Sequence, residues 1–125
     1  MQYDSLTAYL QAPDKIAPKG PLAIILAEDA VELDSTLRHH LSLGFADLLL
    51  LAPAGIDPDP DIAARITVIR HDVHAEHAMA KAVNRLIAAF PGLWMYYCFN
   101  GEYLFYPFCE TRTIDRKSTR LNSSH

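Results

Sequence analysis

Cysteine is scarce in this sequence. Cys98 and Cys109 are its only two, in an aromatic-rich stretch with no CxxC spacing, so neither a disulfide framework nor a zinc site is expected. Buried thiols in a reducing, cytoplasmic setting account for them. Positive charge is also short: 11 Lys and Arg stand against 15 Asp and Glu, for a net charge of -4. An acidic chain does not suit the backbone of a nucleic acid or an anionic membrane surface, so neither is expected as a partner. The apolar runs, such as the one around residues 48–52, fall far short of the roughly 20 residues of a membrane span. MQYDSLTAYLQAPDK at the start lacks the basic opening and apolar stretch of a signal peptide. A soluble, cytoplasmic protein is expected.

Glycine motifs are missing too. The first apolar run is followed by AEDAVEL, not by GxGxxG or GxxxxGK[ST], whose glycines let the backbone approach phosphate. A dinucleotide fingerprint and a P-loop are therefore excluded. There is no GxSxG elbow and neither cysteine has an evident base, so acyl transfer has no support.

What is present is a sizeable apolar complement. Half of the 125 residues are hydrophobic, enough for the core of one domain. Residues 1–19 read as a lead-in in which SLTAYLQA forms a helical turn or more. Short apolar runs bounded by turn residues read as buried strands at 22–27, 47–52, 66–70 and 94–99. Leu33, Leu37 and Leu41 mark a helix over 30–43, closed by Gly44. Ala75, Met79, Ala82, Val83, Leu86 and Phe90 mark a second over 73–90. PAGIDPDP reads as a proline-broken loop. Fully apolar strands interleaved with helices predict an α/β fold: a Rossmann-like, mostly parallel sheet with helices on both faces, joined by right-handed crossovers.

The last residues, DRKSTRLNSSH at 115–125, change character abruptly and read as a disordered terminus. The string also resembles the translation of a common sequencing adapter joined in frame. On that expectation the domain is 20–114, and the chain is the front part of a longer protein.

In open α/β sheets, ligands bind beyond the carboxyl ends of the strands. That rule selects Glu28 and Asp29, His71 and Asp72, and Asn100-Gly101-Glu102. Glu28 and Asp29 suit a helix start through the dipole, or a ligand. His71, His74 and His77 in HDVHAEH read as solvated residues at a helix start, with a His-based metal hydrolase as the rival; a metal needs three or four converging ligands. His39 and His40 fall late in the first helix, where an imidazole meets the favourable end of the dipole. Asn100-Gly101 is either a hairpin turn or, with Glu102, part of a site.

In their order and spacing, residues 21–114 resemble the nucleotide-binding part of a family 2-type glycosyltransferase of the GT-A fold. LAIILAEDAVELDSTLRHHLSLGF resembles the family's opening strand, acidic pair and helix, ending in the phrase from His40 to Phe45. Ala82-Val83-Asn84 stands where the family often has Ala-Arg-Asn, and Glu102-Tyr103-Leu104 resembles a Glu-Phe-Leu of one branch. The resemblance implies transfer of a sugar from a nucleotide-sugar donor to an unknown acceptor. It implies donor binding by Glu28, Asp29, Asn84, Asn100 and Glu102, and a manganese or magnesium ion near Glu102. The acids of the family's Asp-x-Asp metal motif fall here at Phe99 and Gly101, which carry no ligating oxygen on their side chains. Within this stretch the resemblance supplies no catalytic residue, so the fragment is expected to be inactive. A non-catalytic nucleotide- or partner-binding domain is the alternative.

Overall fold

The computed structural model describes residues 1–12 and 18–102. The adapter-like tail, Cys109 and the Tyr103-Leu104 part of the resemblance lie outside the described residues.

In chain order the elements are β1 (Gln2–Tyr3), α1 (Leu6–Gln11), β2 (Leu22–Leu26), α2 (Leu33–Ser42), β3 (Asp47–Ala52), α3 (Pro60–Ala63), β4 (Thr67–Arg70), α4 (Ala78–Ala89) and β5 (Met95–Phe99). The strands form one sheet in the order β1-β4-β3-β2-β5, and every pairing is parallel. Leu26 pairs with Leu51 on one side and with Phe99 on the other, so β2 and β5 end level and β3 runs one residue further. The expected α/β, Rossmann-like sheet is what forms.

Side chains alternate along each strand, and the two sheet faces are covered separately. Ala23, Ile25, Leu48 and Leu50 pack under Leu33 and Leu37 of α2 and Ile62 of α3. Ile24, Leu26, Leu49 and Leu51 pack under Leu6 and Tyr9 of α1 and under Ala82, Val83 and Leu86 of α4. All five residues of β2 are buried. That double burial is why its sequence reads as an unbroken apolar run.

Four segments depart from the sequence reading. Residues 1–12 of the expected lead-in belong to the fold. Gln2 and Tyr3 pair with Val68 and Ile69 at the edge of the sheet, and Leu6 and Tyr9 are buried in the core. A two-residue strand is too short to show a period. After the proline-broken loop, Pro60 opens α3 at a first-turn position where its missing N–H costs nothing. The helix expected over 30–43 begins at Leu33, so Glu28 and Asp29 precede it and Asp34 takes the first-turn place. The helix expected over 73–90 begins at Ala78, after a loop that ends with His77 in a left-handed conformation at φ 58°. At the other end of α2, Gly44 adopts φ 93°, the left-handed stop that glycine permits at least cost.

Candidate functional site

The strand order fixes where a ligand belongs. From β2 the chain builds β3 and then β4 in one direction. After β4 it crosses back to place β5 on the other side of β2. The reversal opens a crevice at the carboxyl ends of β2 and β5, the switch point at which open α/β sheets bind ligands. A cavity of about 480 Å³ lies there. Its floor includes Leu26 and Phe99, its far wall Val73, Ala78 and Met79, and its polar rim Glu28, His74 and His77. Among drug-sized sites, an apolar floor with a few polar groups at the rim is the usual composition.

The corner beside this cavity is tightly bonded. Asn100 N–H donates to the Leu26 carbonyl at 3.0 Å. The Asn100 side chain accepts the Glu28 N–H at 2.9 Å and donates to Asp29 Oδ1 at 2.8 Å and to the Val31 carbonyl at 2.9 Å. Glu102 Oε2 accepts the Phe99 N–H at 2.6 Å, and Glu102 N–H donates to the Phe99 carbonyl at 3.2 Å, closing a turn. Gly101, at φ 85°, supplies the left-handed residue of that turn. The expected hairpin conformation would need a positive φ at Asn100 as well. Among the described residues, Glu32 and His77 are the non-glycine positions with positive φ, so the Asn-Gly pair is not a two-residue hairpin turn of that type.

Thr36 ties the turn to α2. It is fully buried; its hydroxyl donates to the Glu32 carbonyl at 2.6 Å and accepts the Gly101 N–H at 2.9 Å. One helical turn on, His40 stands in the last turn of α2, as expected, and is buried as well. The Leu33, Leu37, Leu41 stripe is rotated in the fold: the buried residues of α2 are Leu33, Thr36, Leu37 and His40. His40 Nδ1 lies 2.8 Å from the Thr36 carbonyl and donates to it, since a carbonyl can only accept. Nε2 is then an acceptor facing the Cys98 thiol at 3.8 Å. Tyr96 stacks on the imidazole at 5.7 Å between centroids.

The electrostatics follow from this burial. Desolvation pushes His40 below its ordinary pKa, against the raising effect of the Thr36 carbonyl. Burial, helped by the charge of Glu102, pushes the Cys98 thiol up to about 12. Cys98 is therefore a packed, protonated thiol, and a reactive thiolate there is disfavoured.

The structure thus brings together Glu28, Asp29 and Asn100, with Glu102 bonded to Phe99 in the adjoining turn. It leaves Asn84 apart, exposed on α4 and outside the lining of the crevice. The three histidines of HDVHAEH are divided: His74 and His77 line the crevice, while His71 and Asp72 line a second cavity of about 450 Å³ with Asp4, Ser5 and Arg70. Burial lowers the pKa of His71. In that second cavity Arg70 is held by the Pro53 and Ile56 carbonyls at 3.0 and 2.9 Å and by Asp57, a structural clasp of the preceding loop.

The donor set of the corner does not fit a divalent cation at the motif position. Phe99 and Gly101 offer no side-chain oxygen, the Asn100 carbonyl oxygen accepts from Glu28, and a Glu102 oxygen accepts from Phe99. Among the described residues, no group of three or more His, Cys, Asp or Glu converges as a metal set. No helix among them is long and apolar enough to cross a membrane.

Sequence reasoning missed Thr36, His40, Val31 and Met79 as parts of this region. Thr36 and His40 had a signal: spaced four apart, they fall between the leucines on the buried side of α2. Comparison with protein-family models, with curated proteins and with solved structures gives no match to this chain.

Proposed function

We propose that this chain is the nucleotide-sugar-binding domain of a glycosyltransferase-like protein, with the nucleoside held in the crevice over the ends of β2 and β5. The observation that carries the reading is the strand order. It places the reversal of the sheet between β2 and β5, and a cavity of about 480 Å³ with Glu28 on its rim opens there. A carboxylate at that rim is suited to accept hydrogen bonds from ribose hydroxyls or from a base N–H. The choice of a sugar nucleotide over other nucleotides rests on the resemblance of residues 21–114. Sugar transfer to an acceptor hydroxyl needs a general base, and that role is assigned to no residue of this chain.

A second reading has a specific observation behind it. The Asn100 amide is directed inward, to Glu28, Asp29 and Val31, where the resembled family holds a metal. This favours a domain that binds a nucleotide without manganese or magnesium and without catalysing transfer.

Titration calorimetry with UDP and GDP, each with and without manganese, tests both. Binding of either nucleotide without a metal requirement supports the second reading, and binding that requires manganese supports the first. Glu28→Ala should weaken binding about tenfold, the worth of one hydrogen bond to a charged group. Absence of binding by either nucleotide would refute the nucleotide reading.

A further inference from the structure

Asn100 belongs to the turn after β5, yet its side chain bonds only into the loop after β2 among the contacts described above. Its orientation is dictated by the backbone. The Glu28 N–H lies on one side at 2.9 Å and the Val31 carbonyl on the other at 2.9 Å. Oxygen must face the first and nitrogen the second. The remaining N–H meets Asp29 Oδ1 at 2.8 Å, and that same oxygen accepts the Val31 N–H at 2.9 Å. The loop is closed on itself and then fastened to β5. Glu28, whose N–H is held here, also stands on the rim of the crevice.

We propose that Asn100 is a positioning residue whose amide fixes Glu28 and Asp29 against the end of β5, and that an amide is required because its partner is the Asp29 carboxylate. A carboxylate at position 100 has an oxygen able to accept from Glu28, but it is repelled from that place by the Asp29 carboxylate and the Val31 carbonyl. It also sets a second oxygen against two acceptors, Asp29 Oδ1 and the Val31 carbonyl. The charged surroundings sharpen the requirement. Glu28 and Glu32 are on the same loop, and Glu32 Oε2 lies 3.6 Å from where a side chain on Gly101 would begin. Glu102 is in the turn itself, and His40 and Cys98 lie beneath it. Asp29 is the titratable group in direct contact with the amide. A carboxylate pair at this distance cannot stay doubly ionised cheaply, so one member takes up a proton more readily than an isolated acid.

The bearing of this brace on ligand affinity rests on the crevice being the nucleotide site; the brace itself does not. The experiment uses the full chain with Asn100→Ala and Asn100→Asp. It reads the protection of the Glu28 amide against hydrogen exchange, and UDP affinity by calorimetry, each relative to unmodified protein at the same pH. Asn100→Ala should lower Glu28 protection about tenfold at both about pH 7 and about pH 4.5, the loss of one hydrogen bond. Asn100→Asp should match it at about pH 7 and regain most of the protection at about pH 4.5, where the acid pair holds a proton and can donate again. UDP affinity should follow the same order. The pH-dependent recovery separates positioning through Asp29 from a general loss of packing, which protonation would not repair. Unchanged Glu28 protection in Asn100→Ala overturns the proposal. So does an Asn100→Asp protein that shows no recovery at low pH, and this isosteric variant decides the matter if Asn100→Ala does not fold. If the unmodified protein binds neither UDP nor GDP, the nucleotide reading falls, and the protection measurements still decide the brace.

Discussion

Lowering the pH through about 6.5 should destabilise this protein through His40, by an amount that linkage bounds. The side chain is fully buried between α2 and β5, with one ring nitrogen donating to Thr36 and the other facing a thiol. Burial is the main reason its pKa lies below the ordinary 6.5; the neighbouring His39 adds to the depression, while the Thr36 carbonyl and Glu102 oppose it. The sign follows directly. Between the depressed folded value and the unfolded value, the unfolded chain binds more protons. The contribution to stability is therefore complete above about 6.5 and is lost as the pH falls below it. One histidine can contribute a slope of at most about 1.4 kcal/mol per pH unit, so the loss from pH 6.5 to 5.5 is at most about 1 kcal/mol. Against a typical total of about 5–15 kcal/mol this is measurable. His71 shifts in the same direction, but it is only half-buried, and solvent screening reduces its share. Urea denaturation at about pH 7.5, 6.5 and 5.5, on the unmodified protein and on His40→Leu, isolates the effect: the variant should lose less across the acid interval, by at most about 1 kcal/mol. Its absolute stability is not the readout. A variant with the same pH dependence as the unmodified protein would show that His40 is not held neutral by the fold, and the argument from burial would fail.

Two further outcomes are expected. Ser5→Ala removes the oxygen that accepts the Ala8 N–H at 2.9 Å and should cost about 1 kcal/mol by urea midpoint, as loss of an N-cap does; no change would mean that α1 is not coupled to the fold. Phe99→Asp combined with Gly101→Asp supplies two hard oxygen ligands and should make UDP binding depend on manganese by calorimetry. A folding penalty of about 1–3 kcal/mol should accompany it, from the left-handed backbone at Gly101 and a half-buried charge at Phe99. Strong manganese dependence in the unmodified protein would show that Asn100 and Glu102 already hold a metal.

The layers of the fold were legible because burial on both faces leaves a plain mark. β2 and β3 are almost wholly buried, and a strand with no solvent face has no polar alternation to confuse with a helix. β3 was read to the residue. What stayed illegible was what is short or conditional. Gln2–Tyr3 is a strand only because β4 offers an edge, and α3 is a single turn. Both loops before α2 and α4 were absorbed into the helices in the sequence reading. Glu32 and His77, at φ 54° and 58°, bend the chain without the glycine that would have announced the break.

At the candidate site the sequence showed the right neighbourhood and hid its wiring. Glu28, Asp29, Asn100 and Glu102 were all picked out by one rule about strand ends; the first three do meet, and Glu102 closes the turn that carries Asn100. Asn84, chosen by resemblance, does not. The bond that organises the corner joins residues 72 positions apart, and no local pattern encodes such a contact. The Asn-Gly pair after β5 pointed to a hairpin because that dipeptide is commonest where both residues take positive φ. Here only the glycine does. That difference turns the asparagine side chain back across the sheet end toward β2. The amide thereby fastens Glu28, on the rim of the crevice, to the end of β5. The Asn100→Asp and double-aspartate variants act on this corner from opposite sides: the first puts a charge into the brace between Asn100 and Asp29, and the second adds oxygens on either side of it.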